Sequence, residues 1–124
     1  QALRQLAWMN NTAHPTFRRV MFPARYAESE SGRAEVHRLA VAQFRTCLER
    51  VQGWIETKPR FWLGEHVSFH DAYAFTLLRW GGYAGIDPKL LPAYLAYIER
   101  VVAAEPVKAA MLRERIQLDT FNPA

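Results

Sequence analysis

The sequence contains very little cysteine and no long apolar run, and each lack excludes a class of structure. Cys47 is the only cysteine among 124 residues, so an intrachain disulfide and a cysteine-based metal site are both excluded. A chain without disulfides is typical of a reducing cytoplasm, and we expect a cytoplasmic protein. No apolar run approaches the roughly 20 residues that span a bilayer, so we expect no membrane partner.

Patterns for binding metals or nucleic acids are also missing. His66 and His70 lie four residues apart with no third ligand evident nearby, so we expect no metal. The net charge is only +4, and the arginines between Arg4 and Arg45 alternate with apolar residues instead of forming a block. This arrangement is typical of solvated helix faces, and we expect no nucleic-acid partner.

The chain is rich in apolar residues that recur at helical spacing. Half of its residues are hydrophobic, which suits one folded domain over residues 1–124. Spacings of three and four predict an all-α bundle of five helices. We expect a kink at Pro15 and an irregular tail, QLDTFNPA. The predicted helices run from the start to about Met21, from 32 to 57, from 68 to the pair Gly81-Gly82, from Asp87-Pro88 onwards, and from Glu105-Pro106 onwards.

The stretch SFHDAYAFTLLRW places Ser68 three residues before Asp71. A serine at the N-cap of a helix can accept a hydrogen bond from the amide three residues later. The acidic side chain at that later position can accept one from the amide of the N-cap. The spacing therefore predicts a capping box that specifies a helix start. A carboxylate committed in this way is poorly placed to move protons in catalysis.

The run WLGEHVSFHDAYAFTLLRW resembles a segment of the glutathione S-transferase family, most closely its bacterial beta class. WMNN in the first helix and LPAYLAYIERVVAAEPVKAAM near the end are similar to that family as well. The resemblance implies the five-helix, C-terminal all-α domain. It also implies that a thioredoxin-like N-terminal domain, which carries most of the glutathione site, is missing from this chain. The chain alone is then not expected to be a competent enzyme.

The resemblance also implies roles for individual residues. Asn10, in the pattern Trp-x-Asn, would contact the γ-glutamyl part of glutathione across a homodimer. His14, in the pattern His-x-x-Phe, would lie near the glutathione sulfur. A wall for apolar substrates would be formed by Phe17, Phe22, Arg79 and Trp80. The alternative is an ordinary polar helix surface for Asn10 and His14, and a core position for the aromatic residues.

The leading hypothesis is the C-terminal half of a glutathione transferase that acts in detoxification. Glutathione would be the co-substrate, and its thiolate would attack a small apolar electrophile. This half would supply the substrate wall and much of a dimer surface. An alternative is a non-catalytic interaction protein on the same fold. A third hypothesis is the ligand-binding half of a helical regulator, although the capping-box segment argues against it.

Overall fold

The computed structural model describes residues 1–123, which contain no β-strand and fold into five helical rods. The first rod is continuous and comprises α1, a π-helical turn (Met9–Ala13) and α2. The predicted all-α, five-helix architecture is confirmed. The α-helices are α1 (Ala2–Trp8), α2 (His14–Met21), α3 (Glu30–Ile55), α4 (Phe69–Tyr83), α5 (Pro92–Val102) and α6 (Glu105–Glu114).

The hydrophobic core surrounds α3, which packs against α2, α4 and α5. Phe44, Leu48 and Val51 lie on one face of α3 and are completely buried. Leu77 of α4 and Ile98 of α5 meet them from the other side and are equally buried. The three-and-four spacing of these apolar residues therefore corresponds to the faces that the helices bury.

Pro15 is accommodated by the π-helical turn that precedes it. The amide of His14 donates to the carbonyl of Met9, five residues back, in place of the usual four. A proline within a regular α-helix lacks an amide donor, and its ring collides with the carbonyl four residues back. Pro15 here directly follows the π-helical turn, where the hydrogen-bond spacing of the rod changes from five residues to four. The expected kink is thus a widened turn within a continuous rod.

The start of α4 is organised by Ser68 and Asp71, which form the capping box. Asp71 Oδ2 accepts hydrogen bonds from the Ser68 amide at 2.8 Å and from Ser68 Oγ at 3.1 Å. Asp71 Oδ1 accepts from the Trp62 amide at 3.1 Å and from the Tyr97 hydroxyl. The carboxylate is completely buried. It therefore joins the loop before α4, the start of α4 and the middle of α5.

The Tyr97 hydroxyl remains a donor because its surroundings disfavour ionisation. Burial raises the pKa of this phenol, and the hydrogen bond to the Asp71 carboxylate raises it further. A phenolate beside the Asp71 carboxylate would place two negative charges together in the interior. The hydroxyl therefore stays protonated at neutral pH and continues to satisfy Oδ1.

The helix α4 ends at Tyr83, one residue beyond the pair Gly81-Gly82 at which it was predicted to end. The glycines allow close approach of neighbouring segments. A Cβ on Gly82 would lie 2.0 Å from Thr120 Oγ1 and 2.8 Å from the Phe121 amide, and one on Gly81 would lie 2.7 Å from a Leu48 methyl. Packing against α3 and the tail therefore requires these glycines.

Two other helix starts differ from the predicted ones because of their caps. Ser29 Oγ accepts a hydrogen bond from the Gly32 amide at 3.0 Å, so α3 begins at Glu30 rather than at residue 32. Asp87 Oδ1 accepts from the Lys89 amide at 2.9 Å and caps a short 3-10 helix. The α-helical segment therefore starts only at Pro92.

The tail is irregular over residues 117–123, as predicted, and its last residue, Ala124, lies outside the described residues. Two hydrogen bonds hold the tail against α4. Arg79 Nε donates to the Gln117 carbonyl at 2.6 Å, and Thr120 Oγ1 donates to the Arg79 carbonyl. Gly82 lies directly beneath Thr120.

Replacing Asp71 by alanine is expected to destabilise the whole bundle. The change leaves the Trp62 amide and the Tyr97 hydroxyl without their buried acceptor, at a cost of roughly 3–5 kcal/mol in the free energy of unfolding. Asp87→Ala removes only a half-buried cap and should cost about 1 kcal/mol. Urea unfolding followed by circular dichroism measures both. Equal losses in the two variants would contradict the central role of Asp71.

Gly82→Ala and Gly53→Ala should change stability in opposite directions. The new methyl at Gly82 collides with backbone of the tail, so we expect a loss of about 1–3 kcal/mol and faster proteolysis after residue 116. At Gly53, in α3, nothing lies within 4 Å of the added Cβ. That change should stabilise the protein by roughly 0.5–1 kcal/mol through the higher helix propensity of alanine. Thermal unfolding and limited proteolysis test both, and an unaltered tail in Gly82→Ala would refute the packing argument.

Candidate functional site

A groove of about 310 Å³ opens between the first rod and α4. Asn10 and His14 come from the π-helical turn and the first residue of α2, on one side. The opposite side is supplied by one face of α4. The α4 residues that line the groove are Phe69, Ala72, Tyr73, Thr76 and Trp80.

The polar side chains of the groove form a connected series of hydrogen bonds. His14 Nδ1 lies 2.9 Å from the Tyr73 hydroxyl, and that hydroxyl donates to Asn10 Oδ1 at 3.3 Å. Asn10 Nδ2 donates in turn to Asn11 Oδ1 at 3.2 Å. Burial raises the pKa of Tyr73, so its phenol is protonated at neutral pH. Tyr73 is therefore the link between Asn10 and His14.

An aromatic stack bounds the other end of the groove. The Phe17 ring lies almost parallel to the Trp80 indole, with centroids 4.6 Å apart and planes 8° apart. The His14 imidazole approaches the same indole at 4.8 Å with its plane tilted by 67°. Phe17 is itself buried and also packs on Phe44 of α3. Trp80 thus presents an apolar surface that the core supports from behind.

Phe22 and Arg79 lie away from the groove. Phe22 follows the end of α2, where its half-exposed ring is covered by the guanidinium of Arg25 at 4.6 Å. Arg79 points towards the tail and donates to the Gln117 carbonyl and, at 3.3 Å, to the Tyr83 hydroxyl. The structure therefore brings together Asn10, His14, Phe17 and Trp80 from the six residues that the resemblance implied.

Tyr73, Phe69 and Thr76 are groove residues that the sequence reasoning did not identify. They recur with Trp80 at spacings of four, three and four along α4, which places all four on one face of the helix. That periodicity was present in the sequence. The periodicity did not stand out, because the opposite face of α4 is also apolar and the whole helix was interpreted as buried. That opposite face consists of Ala74, Phe75, Leu77 and Leu78.

The remaining candidate groups have structural roles. His70 Nε2 donates to the Ala2 carbonyl at 3.0 Å, and residues 1–123 contain no cluster of side chains suited to a metal ion. None of the helices in the described part of the chain is both long and apolar enough to cross a membrane.

Cys47 is buried within the core, and this burial raises the pKa of its thiol despite the nearby Thr16 hydroxyl.

A known sequence and a solved structure are each similar to this chain over most of its length. The glutathione S-transferase GST-4.5 of Xanthomonas campestris pv. campestris is 33% identical over 112 residues, which are 90% of this chain and 54% of that protein. The crystal structure of a glutathione transferase homolog from Sulfitobacter, with bound glutathione, matches with a TM-score of 0.80 and 21% identity. That match covers 94% of this chain and 55% of the other. No known protein-family profile matches the chain.

These similarities confirm the resemblance on which the sequence interpretation was based. The fold is that of the helical part of a glutathione transferase, and the sequence similarity extends over nine tenths of the chain. The chain spans about half the length of each of the two relatives. The fold and the sequence similarity therefore both support a C-terminal-like helical domain of the glutathione S-transferase type.

Cys47 is expected to be unreactive in the folded protein. Its thiol is 7% exposed, and the raised pKa keeps the thiolate fraction low at neutral pH. Dithiobis(nitrobenzoic acid) should label it at least about a hundredfold more slowly in buffer than in concentrated urea, because labelling then requires opening of the core. A comparable rate in both conditions would show that the thiol is accessible.

Proposed function

We propose that this glutathione-transferase-type helical domain forms the electrophile-binding half of a glutathione transferase. The observation that carries the proposal is the groove, in which the polar series Asn10–Tyr73–His14 lies beside the apolar surface of Trp80. A polar peptide and an apolar electrophile must lie side by side for a thiol to attack. The groove offers a matching surface to each of them.

Asn10 and His14 are proposed to contact glutathione. The carboxamide of Asn10 can both donate and accept hydrogen bonds, which suits the zwitterionic γ-glutamyl end of the peptide. The imidazole of His14 can accept the proton of the thiol, and the thiolate is the nucleophilic form. Support comes from the Sulfitobacter homolog, whose structure contains glutathione.

The apolar electrophile is proposed to rest against Trp80, with Phe17 supporting the indole. In the reaction, the thiolate sulfur forms a bond to an electrophilic carbon of this substrate. With an aryl halide, the carbon–halogen bond breaks and halide leaves, while the thiol proton passes to His14 and then to water. The protein would contribute by holding the two substrates together in a site partly shielded from water.

The remaining parts of the catalytic site are proposed to lie in the other half of the protein. Glutathione transferases that match this chain are about twice its length, which leaves room for a second domain. That domain would carry most of the glutathione site and a second group that activates the thiol by stabilising the thiolate, while His14 accepts the proton. A cytoplasmic, homodimeric enzyme that acts in detoxification completes the proposal.

A second candidate function is a non-catalytic interaction protein on the same fold. The observation in its favour is an apolar surface at the end of α2. Met21, Phe22 and Tyr26 each expose close to half of their surface there. Such a surface would suit contact with another protein chain or with another domain of the same protein.

The proposed function is tested by glutathione conjugation to 1-chloro-2,4-dinitrobenzene. The assay uses the protein expressed from its full reading frame, with the 124-residue chain alone as an inactive control. We expect His14→Ala to reduce kcat/KM by about a hundredfold, since it removes a proton acceptor. Asn10→Ala should raise the KM for glutathione by up to about tenfold, the effect of one hydrogen bond.

His66→Ala is the matched control, because His66 is exposed and lies outside the groove. It should conjugate at the wild-type rate. A folded full-length protein that neither conjugates the substrate nor binds glutathione would overturn the proposal. The interaction-protein candidate would then replace it.

A further inference from the structure

We propose that Tyr73 is a positioning residue, which holds His14 in the tautomer that carries the proton on Nδ1. The opposite ring nitrogen, Nε2, is thereby left as an acceptor for the thiol proton. The identity of that proton donor rests on the proposed function. The control of the tautomer by Tyr73 rests on the contacts within this chain alone.

The direction of the hydrogen bonds follows from the number of protons available. Asn10 uses its amide nitrogen to donate to Asn11, so its carbonyl oxygen faces Tyr73 and can only accept. The Tyr73 hydroxyl has a single proton and donates it to that oxygen. The oxygen of Tyr73 is then an acceptor for His14, and we assign Nδ1, at 2.9 Å, as the donor.

The other nitrogen of His14 is available to a ligand. Within residues 1–123, Nε2 makes no hydrogen bond, while the His14 side chain lines the groove and is only half-buried. The ring cannot easily turn away, because Tyr73 holds one edge and the Trp80 indole lies 4.8 Å from its centre. Nε2 is thus presented to the groove in a fixed orientation.

This arrangement matters because Nε2 is a hydrogen-bond donor in one tautomer of His14 and an acceptor in the other. An imidazole without partners favours the form with its proton on Nε2, which donates there and cannot accept. A hydrogen bond at Nδ1 selects the other form, since the partner of one nitrogen decides the protonation of the other. Only the form that Tyr73 selects can receive a proton from a thiol in the groove.

Tyr73 is well placed to impose this choice on His14. Its pKa is raised by burial, so its proton remains on the oxygen across the neutral range. It lies two residues after Asp71, within the first turns of α4 that the buried carboxylate anchors. Phe69, one turn earlier, packs its ring edge-on at 6.0 Å. The hydroxyl is therefore held by a rigid helix start.

The tautomer can be measured directly by long-range 1H–15N NMR of the 124-residue chain labelled with 15N-histidine, above pH 8. The chain supplies its own references for the two forms. His37 Nδ1 lies 3.0 Å from the Val20 carbonyl and must carry a proton there. His70 Nε2 lies 3.0 Å from the Ala2 carbonyl and must carry one on that nitrogen. His14→Gln identifies the signals of His14.

We expect the His14 signals to match the Nδ1–H pattern of His37 in the wild-type chain. In Tyr73→Phe they should change to the Nε2–H pattern of His70, because the acceptor at Nδ1 is gone. Tyr83→Phe is the matched control, since Tyr83 lies on the same helix but contacts Arg79 outside the groove. Circular dichroism confirms that each variant is folded. A wild-type Nε2–H pattern, or His14 signals that do not respond to Tyr73→Phe, would overturn the proposal.

Full-length protein then separates this inference from the proposed function. If Tyr73 positions a catalytic His14, Tyr73→Phe should reduce kcat by about tenfold or more, while Tyr83→Phe should leave it unchanged. An inactive wild-type protein whose tautomer nonetheless depends on Tyr73 would overturn the glutathione proposal and the thiol as proton donor. The positioning of His14 by Tyr73 would stand.

Discussion

The buried carboxylate of Asp71 is the constraint on which the rest of the domain depends. Its two oxygens satisfy donors from Trp62, Ser68 and Tyr97, which belong to three separate segments. A buried charge of this kind is costly unless hydrogen-bond donors surround it. The orientation of α4 is thereby fixed relative to the preceding loop and to α5. The geometry of the groove depends on that orientation, because one of its two sides is a face of α4.

Much of this fold could be predicted from sequence because its signals are local. The spacing of Ser68 and Asp71 indicates a helix start, and apolar periodicity indicates the faces that meet at α3. The sequence did not reveal contacts between residues that lie far apart along the chain. Gly82 reads as a helix breaker, yet its missing side chain makes room for Thr120, 38 positions later in the numbering of the chain. No local pattern records such a contact.

The candidate site, too, was predictable from the sequence only in part. The resemblance to glutathione transferases led to Asn10, His14, Phe17 and Trp80, and the structure brings these four together. It separates Arg79 from them, because the guanidinium of Arg79 hydrogen-bonds to the Gln117 carbonyl in the tail. The sequence contained no signal for the role of Tyr73, because that role depends on its hydrogen bonds to Asn10 and His14. A tyrosine in an apolar helix is ordinary until both of its partners are known.

The π-helical turn before Pro15 changes which face of the rod each later residue occupies, compared with a regular α-helix. Such a turn contains about one residue more than an α-helical turn, and one residue corresponds to about 100° of rotation around a helix. The extra residue is absorbed locally, so the side chains of α2 keep the faces they would have after a shorter segment. A comparison of this rod with a regular helix, residue for residue without a gap, therefore pairs side chains that point in different directions. Equivalent residues in related proteins must be matched by the face they occupy.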